Sequence, residues 1–76
     1  MNKERRARLL EVCEALDDAA DDIGYIIDDE NEAYDNLPDG IQDSSRGEKM
    51  LDAINVMENF QADIEAVSDR IKKIKL

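Results

Sequence analysis

The second half of the chain repeats in sevens. Met50, Met57, Ile64 and Ile71 fall seven apart, and Ala53, Phe60, Val67 and Ile74 occupy the position three later. An unbroken apolar repeat of this period predicts an amphipathic helix over about 45–74. The first half carries the same pattern, with Leu9, Leu16, Ile23 and Leu37 in one column and Val12, Ala19, Ile26 and Ala33 in the other. It predicts a helix over about 3–36. Glu30 interrupts the first column; either the seam opens there near the turn, or the carboxylate reaches Arg46 or Lys49 on the opposite helix.

Between the two patterns lies Asn36-Leu37-Pro38-Asp39-Gly40-Ile41-Gln42-Asp43-Ser44-Ser45. Proline removes a helical donor and Asp-Gly favours a turn, so the first helix ends here and a turn occupies about 37–44. Ser45 and Glu48 have the spacing of a capping box that starts the second helix. A connection this short lays the two helices antiparallel. The expected fold is therefore all-α, an antiparallel two-helix hairpin in one domain spanning 1–76.

One hairpin buries one seam, and apolar residues remain outside the two columns. Cys13, Ala20, Ile27 and Tyr34 form a flanking column on the first helix, and Ile54 flanks the second. These five are expected to form an oligomer interface, most simply that of a homodimer that closes into a four-helix bundle. Alanines at 15, 19, 20 and 33 leave room for helices to approach closely.

Charge changes the picture most. Between Leu9 and Ser45 there are thirteen acidic residues and no lysine or arginine, while eight of the ten basic residues sit near the two ends. The net charge is −10. Solubility alone does not require such segregation, whereas a field of one sign selects charged partners. The same charge opposes direct binding to nucleic acid or to an anionic membrane. On the expected wheel Glu14, Asp21, Asp28 and Asp35 form an outer ridge, flanked by Glu11, Asp17, Asp18, Asp22, Asp29 and Glu32, with Tyr25 among them. Ridge residues are spaced about 10.5 Å apart along a helix, and the flanking acids bring the spacing nearer to that of DNA phosphates. This face is the expected partner-binding site, suited to a host protein with a basic surface. A face that only keeps a structural or adaptor oligomer soluble is the alternative.

Other chemistry finds less purchase. Asp17-Asp18-Ala19-Ala20-Asp21-Asp22 matches as a string the aspartate-rich motif of prenyl synthases, which requires a much larger helical barrel. Glu11, Glu14, Asp18 and Asp21 echo the paired acids of helical nucleotide pyrophosphohydrolases, but they are expected on outer columns rather than in an interior. A calcium loop starting at Asp35 fails at Leu37 and Arg46. The chain has no histidine. Nothing pairs a base with a nucleophile, so no enzyme, metal or cofactor is expected. Ser44, Ser45, Arg46, Gly47 and Lys49 surround the amides that open the second helix, a possible anion site that would suit a nucleotide-sequestering oligomer. Cys13, the only cysteine, has no intrachain disulfide partner. No apolar run reaches membrane-spanning length, so a cytoplasmic protein is expected.

The segment from Glu32 to Gln42, continued by Ser44, Arg46, Gly47, Glu48 and Met50, resembles a group of short acidic helical proteins from phages and mobile elements of Gram-positive and gut bacteria. They share a pattern E-A-(Y/F)-D-N-L-P-(E/D)-x-(I/L)-Q-x-S-x-(R/K)-G-E-x-M around the turn. The second helix here has less glutamate than such proteins, and Gly40 follows the acid where another residue is commoner. The resemblance brings no assigned function. It implies a context in which small proteins inhibit or redirect host proteins, including anti-defence proteins that mimic DNA.

Overall fold

A computed structural model describes residues 1–74 and is all-α. Helix α1 runs Lys3–Asp35, a single-turn helix α2 runs Asp39–Gln42, and helix α3 runs Ser45–Lys72. The molecule measures 59 × 14 × 12 Å, as expected for two helices of about 45–50 Å lying side by side. Three contacts join them. Cys13 Sγ lies 3.8 Å from the carbonyl oxygen of Ser68, Lys72 Nζ lies 2.9 Å from Asp17 Oδ2, and Gln61 Nε2 lies 2.9 Å from the carbonyl oxygen of Ala20. From the Cys13–Ser68 contact to the Ala20–Gln61 contact the number rises on α1 and falls on α3, so the two helices are antiparallel, and the long Lys72 side chain ties them together alongside. The same register sets Ile27 opposite Ile54 and Tyr34 opposite Gly47.

The helix limits follow from local chemistry. Asn2 caps α1, its Oδ1 accepting the Arg5 amide at 2.9 Å. At the other end, the last turn of α1 has no basic residue to offset its carbonyl dipole. Gln42 fills that role, its side-chain amide donating to the carbonyls of Tyr34 and Asp35 at 3.1 and 3.4 Å. Pro38 stands at the N-cap of α2, where its missing N–H costs nothing. The expected turn is thus one turn of helix.

The start of α3 differs from the capping box read in the sequence. The N-cap is Ser44, not Ser45, and its side chain makes no capping bond. Its hydroxyl instead donates to the carbonyl of Ile41, inside the turn. Glu48 receives its helical bond from the chain itself, its amide donating to the Ser44 carbonyl at 3.0 Å.

The seam lies one column away from the expected position. Cys13, Ala20, Ile27 and Ile54 are the buried apolar residues, joined by Gly47 and Ser68, the latter only 1% exposed. Tyr34 and Gln61 continue the same columns half-buried. The residues expected to hold a second copy therefore pack within the chain. The reason is the size and polarity of what faces them. Gly47 and Ser68 permit close approach, while Ser68 and Gln61 make cross-helix hydrogen bonds that valine or phenylalanine would forfeit. Leu9, Leu16, Ile23, Met50, Met57, Ile64 and Ile71 remain in the seam, half-buried along one edge. The columns assigned to them as partners, Val12–Ile26 on α1 and Phe60–Ile74 on α3, are exposed.

Candidate functional site

Rotation of the seam also rotates the acidic ridge. On α1 the column directly away from α3 is now Glu11, Asp18, Tyr25 and Glu32, all exposed, with Tyr25 68% accessible. Glu14, Asp21, Asp28 and Asp35 form the neighbouring exposed column on one flank, and Asp22 and Asp29 are exposed on the other. Nine of the ten residues predicted for partner binding therefore share a continuous exposed surface around Tyr25 (Glu14, Asp18, Asp21, Asp22, Tyr25, Asp28, Asp29, Glu32 and Asp35).

Asp17 is the exception. It stands at the edge of the seam, where its carboxylate accepts the Ser68 hydroxyl at 2.7 Å and the Lys72 ammonium at 2.9 Å. Those two donors, Ser68 foremost, hold its carboxyl below the ordinary aspartate value of 3.8. Lys72 is raised above 10.5 by the same hydrogen bond. Asp17 therefore ties α1 to α3 and is only half available to a partner.

The Asp17–Lys72 edge of the helix pair adds acids that the sequence reading missed. Glu58 and Glu65 occupy the column of Lys72 on α3 and are exposed. The antiparallel register places them on the same side of the molecule as Asp21 and Asp28. The acidic surface thus extends from the back of α1 onto an edge of α3. The signal was present as a period of seven, but placing it required the phase of the seam. At the opposite end of the long axis, Lys3, Arg5, Arg6 and Arg8 come beside Arg70, Lys72 and Lys73, because antiparallel packing brings the two chain ends together. The molecule has a basic end and an acidic body.

The anion site proposed at Ser44, Ser45, Arg46, Gly47 and Lys49 is partly filled by the chain. Gly47 is buried against the main chain of Gln42, whose carbonyl occupies the space beside it. Ser45, Arg46 and Lys49 are exposed and Ser44 is turned towards Ile41. Glu30 is half-buried and makes no ion pair with Arg46, Lys49 or any other described residue. Among the described residues no group of three or more acidic or thiol side chains converges as a metal site would require. No helix there is long and apolar enough to cross a membrane.

Compared with protein-family models, with curated proteins and with solved structures, the chain matches none.

Proposed function

We propose that this chain is a non-enzymatic binding protein of phage or mobile-element origin. Its acidic surface occupies a positively charged site on a host protein of the bacterial cytoplasm and so inhibits or redirects it, in the manner of a DNA mimic. The chain works as a helical hairpin that pairs with a second copy. The observation that supports this reading is the continuous exposed surface on α1 and the α3 edge, in which Glu14, Asp18, Asp21, Asp28, Glu58 and Glu65 surround Tyr25 and the cation at the edge, Lys72, is paired with Asp17. Acids three and four positions apart repel and weaken the helix that carries them, and aspartate is a poor residue in a helix interior. Retaining so many on one surface is the expected cost of a site for a cationic partner. Tyr25 supplies a flat apolar contact with a polar tip at the centre of that surface.

The test is capture of partners from bacterial lysate on the tagged chain, with elution by a salt gradient. A nucleic-acid-handling protein released at moderate salt is expected, since contacts between exposed charges are screened over about 8–10 Å at physiological ionic strength. Partners that resist high salt, or none at all, would count against mimicry.

A further inference from the structure

Several large apolar side chains of this molecule stay exposed outside its seam. Phe60 is 40% exposed and Ile26 53%, and Val12, Val67 and Ile74 are comparably open. Val12 and Ile26 share one heptad column on α1, Phe60 and Val67 occupy the same column on α3, and Ile74 follows in register just past its end. In an antiparallel pair, like columns fall on the same side. The Asp17–Lys72 contact fixes the other side, where Leu10 and Leu51 are exposed singly among charged residues. Together with the half-buried edge of Leu9, Leu16, Ile23, Met57, Ile64 and Ile71, those columns make one face two helices wide and apolar along most of its length. A shallow groove of about 550 Å³ beside Leu9, Val12 and Ala15 continues it at the basic end.

We infer that this face is where a second copy of the chain packs, antiparallel, to close a four-helix bundle. The inference names the interface of the dimer proposed above and rests on that reading. Area favours such an occupant. A face about 40 Å long and two helices, about 20 Å, wide would bury about 800 Å² on each copy, the size of a standard stable interface.

Charge selects the antiparallel arrangement. Glu30 is the one charged residue in the half-buried columns, and it lies eleven residues beyond Ala19 towards the turn. Arg8 lies eleven residues before Ala19, towards the basic end, on the rim of the same face. A two-fold axis near Ala19 and Phe60, midway along the face, brings Glu30 of one copy to the level of Arg8 of the other. It also brings the basic end of each copy alongside the acidic turn end of its mate. A parallel arrangement would set Glu30 against Glu30 and stack the basic ends. The ridge around Tyr25 points away in either case and stays open to a partner.

Sedimentation equilibrium on the full chain, on Phe60→Glu and on Glu65→Lys tests the inference. The wild-type chain is expected at twice its 8.6 kDa mass. Phe60→Glu should raise the dissociation constant at least about 100-fold, the scale of an interface hot spot. If Phe60→Glu instead loses helicity at concentrations where the wild type is helical, that also supports the inference, because residue 60 is exposed in the lone chain. Glu65→Lys, on the opposite edge, should leave the dimer intact. A dimer unchanged by Phe60→Glu would overturn this interface while leaving self-association standing. A wild-type mass of 8.6 kDa at about 100 μM would overturn both.

Discussion

Gly47 lies so close to Gln42 that a β-carbon at position 47 would stand 2.6 Å from the Gln42 carbonyl carbon and nearer still to its oxygen. The absence of a side chain is what lets α2 fold back over the first turn of α3. From there the Gln42 side chain reaches the last carbonyls of α1. Replacing glycine by alanine in a helix normally gains about 1 kcal/mol. Gly47→Ala should instead lose about 1–3 kcal/mol, because the clash is with main chain that cannot rotate away. Urea unfolding of the two chains checks the sign. A stabilised variant would mean that the turn does not pack as described.

Other residues of the turn segment act in the same way. Gln42 caps α1, Ser44 bonds to Ile41, Gly47 makes room for Gln42, and Leu37 and Met50 are half-buried at the turn. A motif built of such residues specifies a turn.

Gln61 and Gly24 form a second matched pair. The Gln61 amide donates to the carbonyl of Ala20 at 2.9 Å, and a β-carbon on Gly24 would sit 3.0 Å from that amide nitrogen. Gly24 is a helix-weakening residue kept where the cross-helix hydrogen bond passes. In a Gln61→Ala background, Gly24→Ala should stabilise the chain by about 0.5–1 kcal/mol through helix propensity alone. In the wild-type background the gain should be smaller by about the worth of one hydrogen bond, roughly 1 kcal/mol. A double-mutant cycle measures the difference, and additive effects would show that the two positions are independent.

How much of this was legible beforehand depends on the kind of signal. The helix ends were expected at about 3–36 and 45–74 and lie at Lys3–Asp35 and Ser45–Lys72, because proline and Asp-Gly act locally. The phase of the seam was not legible. Three adjacent columns on α1 are largely apolar, and the seam column of α3, Gly47, Ile54, Gln61 and Ser68, is the least apolar of the three candidates there, so a period of seven does not say which columns face inward. Counting hydrophobic residues ranks Val67 above Ser68 and Phe60 above Gln61. The fold ranks them the other way, because small and hydrogen-bonding residues permit a closer seam. The residues expected to hold a second copy went into the seam, and the crest of the acidic ridge turned with that phase. The acids of that set other than Asp17 are exposed whatever the phase, because every column on the back of α1 is rich in them.

Asp17 gives the chain a defined pH response. Its pKa is lowered in the fold from 3.8, first by the Ser68 hydroxyl and then by Lys72. A depressed carboxylate adds stability above its unfolded value and loses it as pH falls through the folded one. Lys72, raised from 10.5 by the same bond, adds stability below that value and loses it as pH rises beyond the folded one. The difference in Tm between the wild type and Asp17→Asn should therefore be level between about pH 5 and 9 and shrink outside that window. Ser68→Ala should shift the acid limb towards higher pH, because it removes the larger cause. An unchanged acid limb in Ser68→Ala would assign the lowering to Lys72 alone.

Charge reversal separates the acidic surface as a binding site from the same surface as a solubilising coat. Asp21, Asp28 and Asp35 are exposed, make no ion pair among the described residues and lie clear of the seam. Changing all three to lysine leaves the helix pair's contacts in place and relieves repulsion along α1. Circular dichroism should show unchanged helicity, with a Tm equal to or above that of the wild type. Added salt should raise the wild-type Tm more than that of the variant, since it screens a repulsion that the variant has lost. Binding to the captured host protein should fall by at least about 100-fold, because the three lysines would face a cationic site. A variant that keeps both its fold and its partner would move recognition to the apolar face, and the acids would then serve solubility alone.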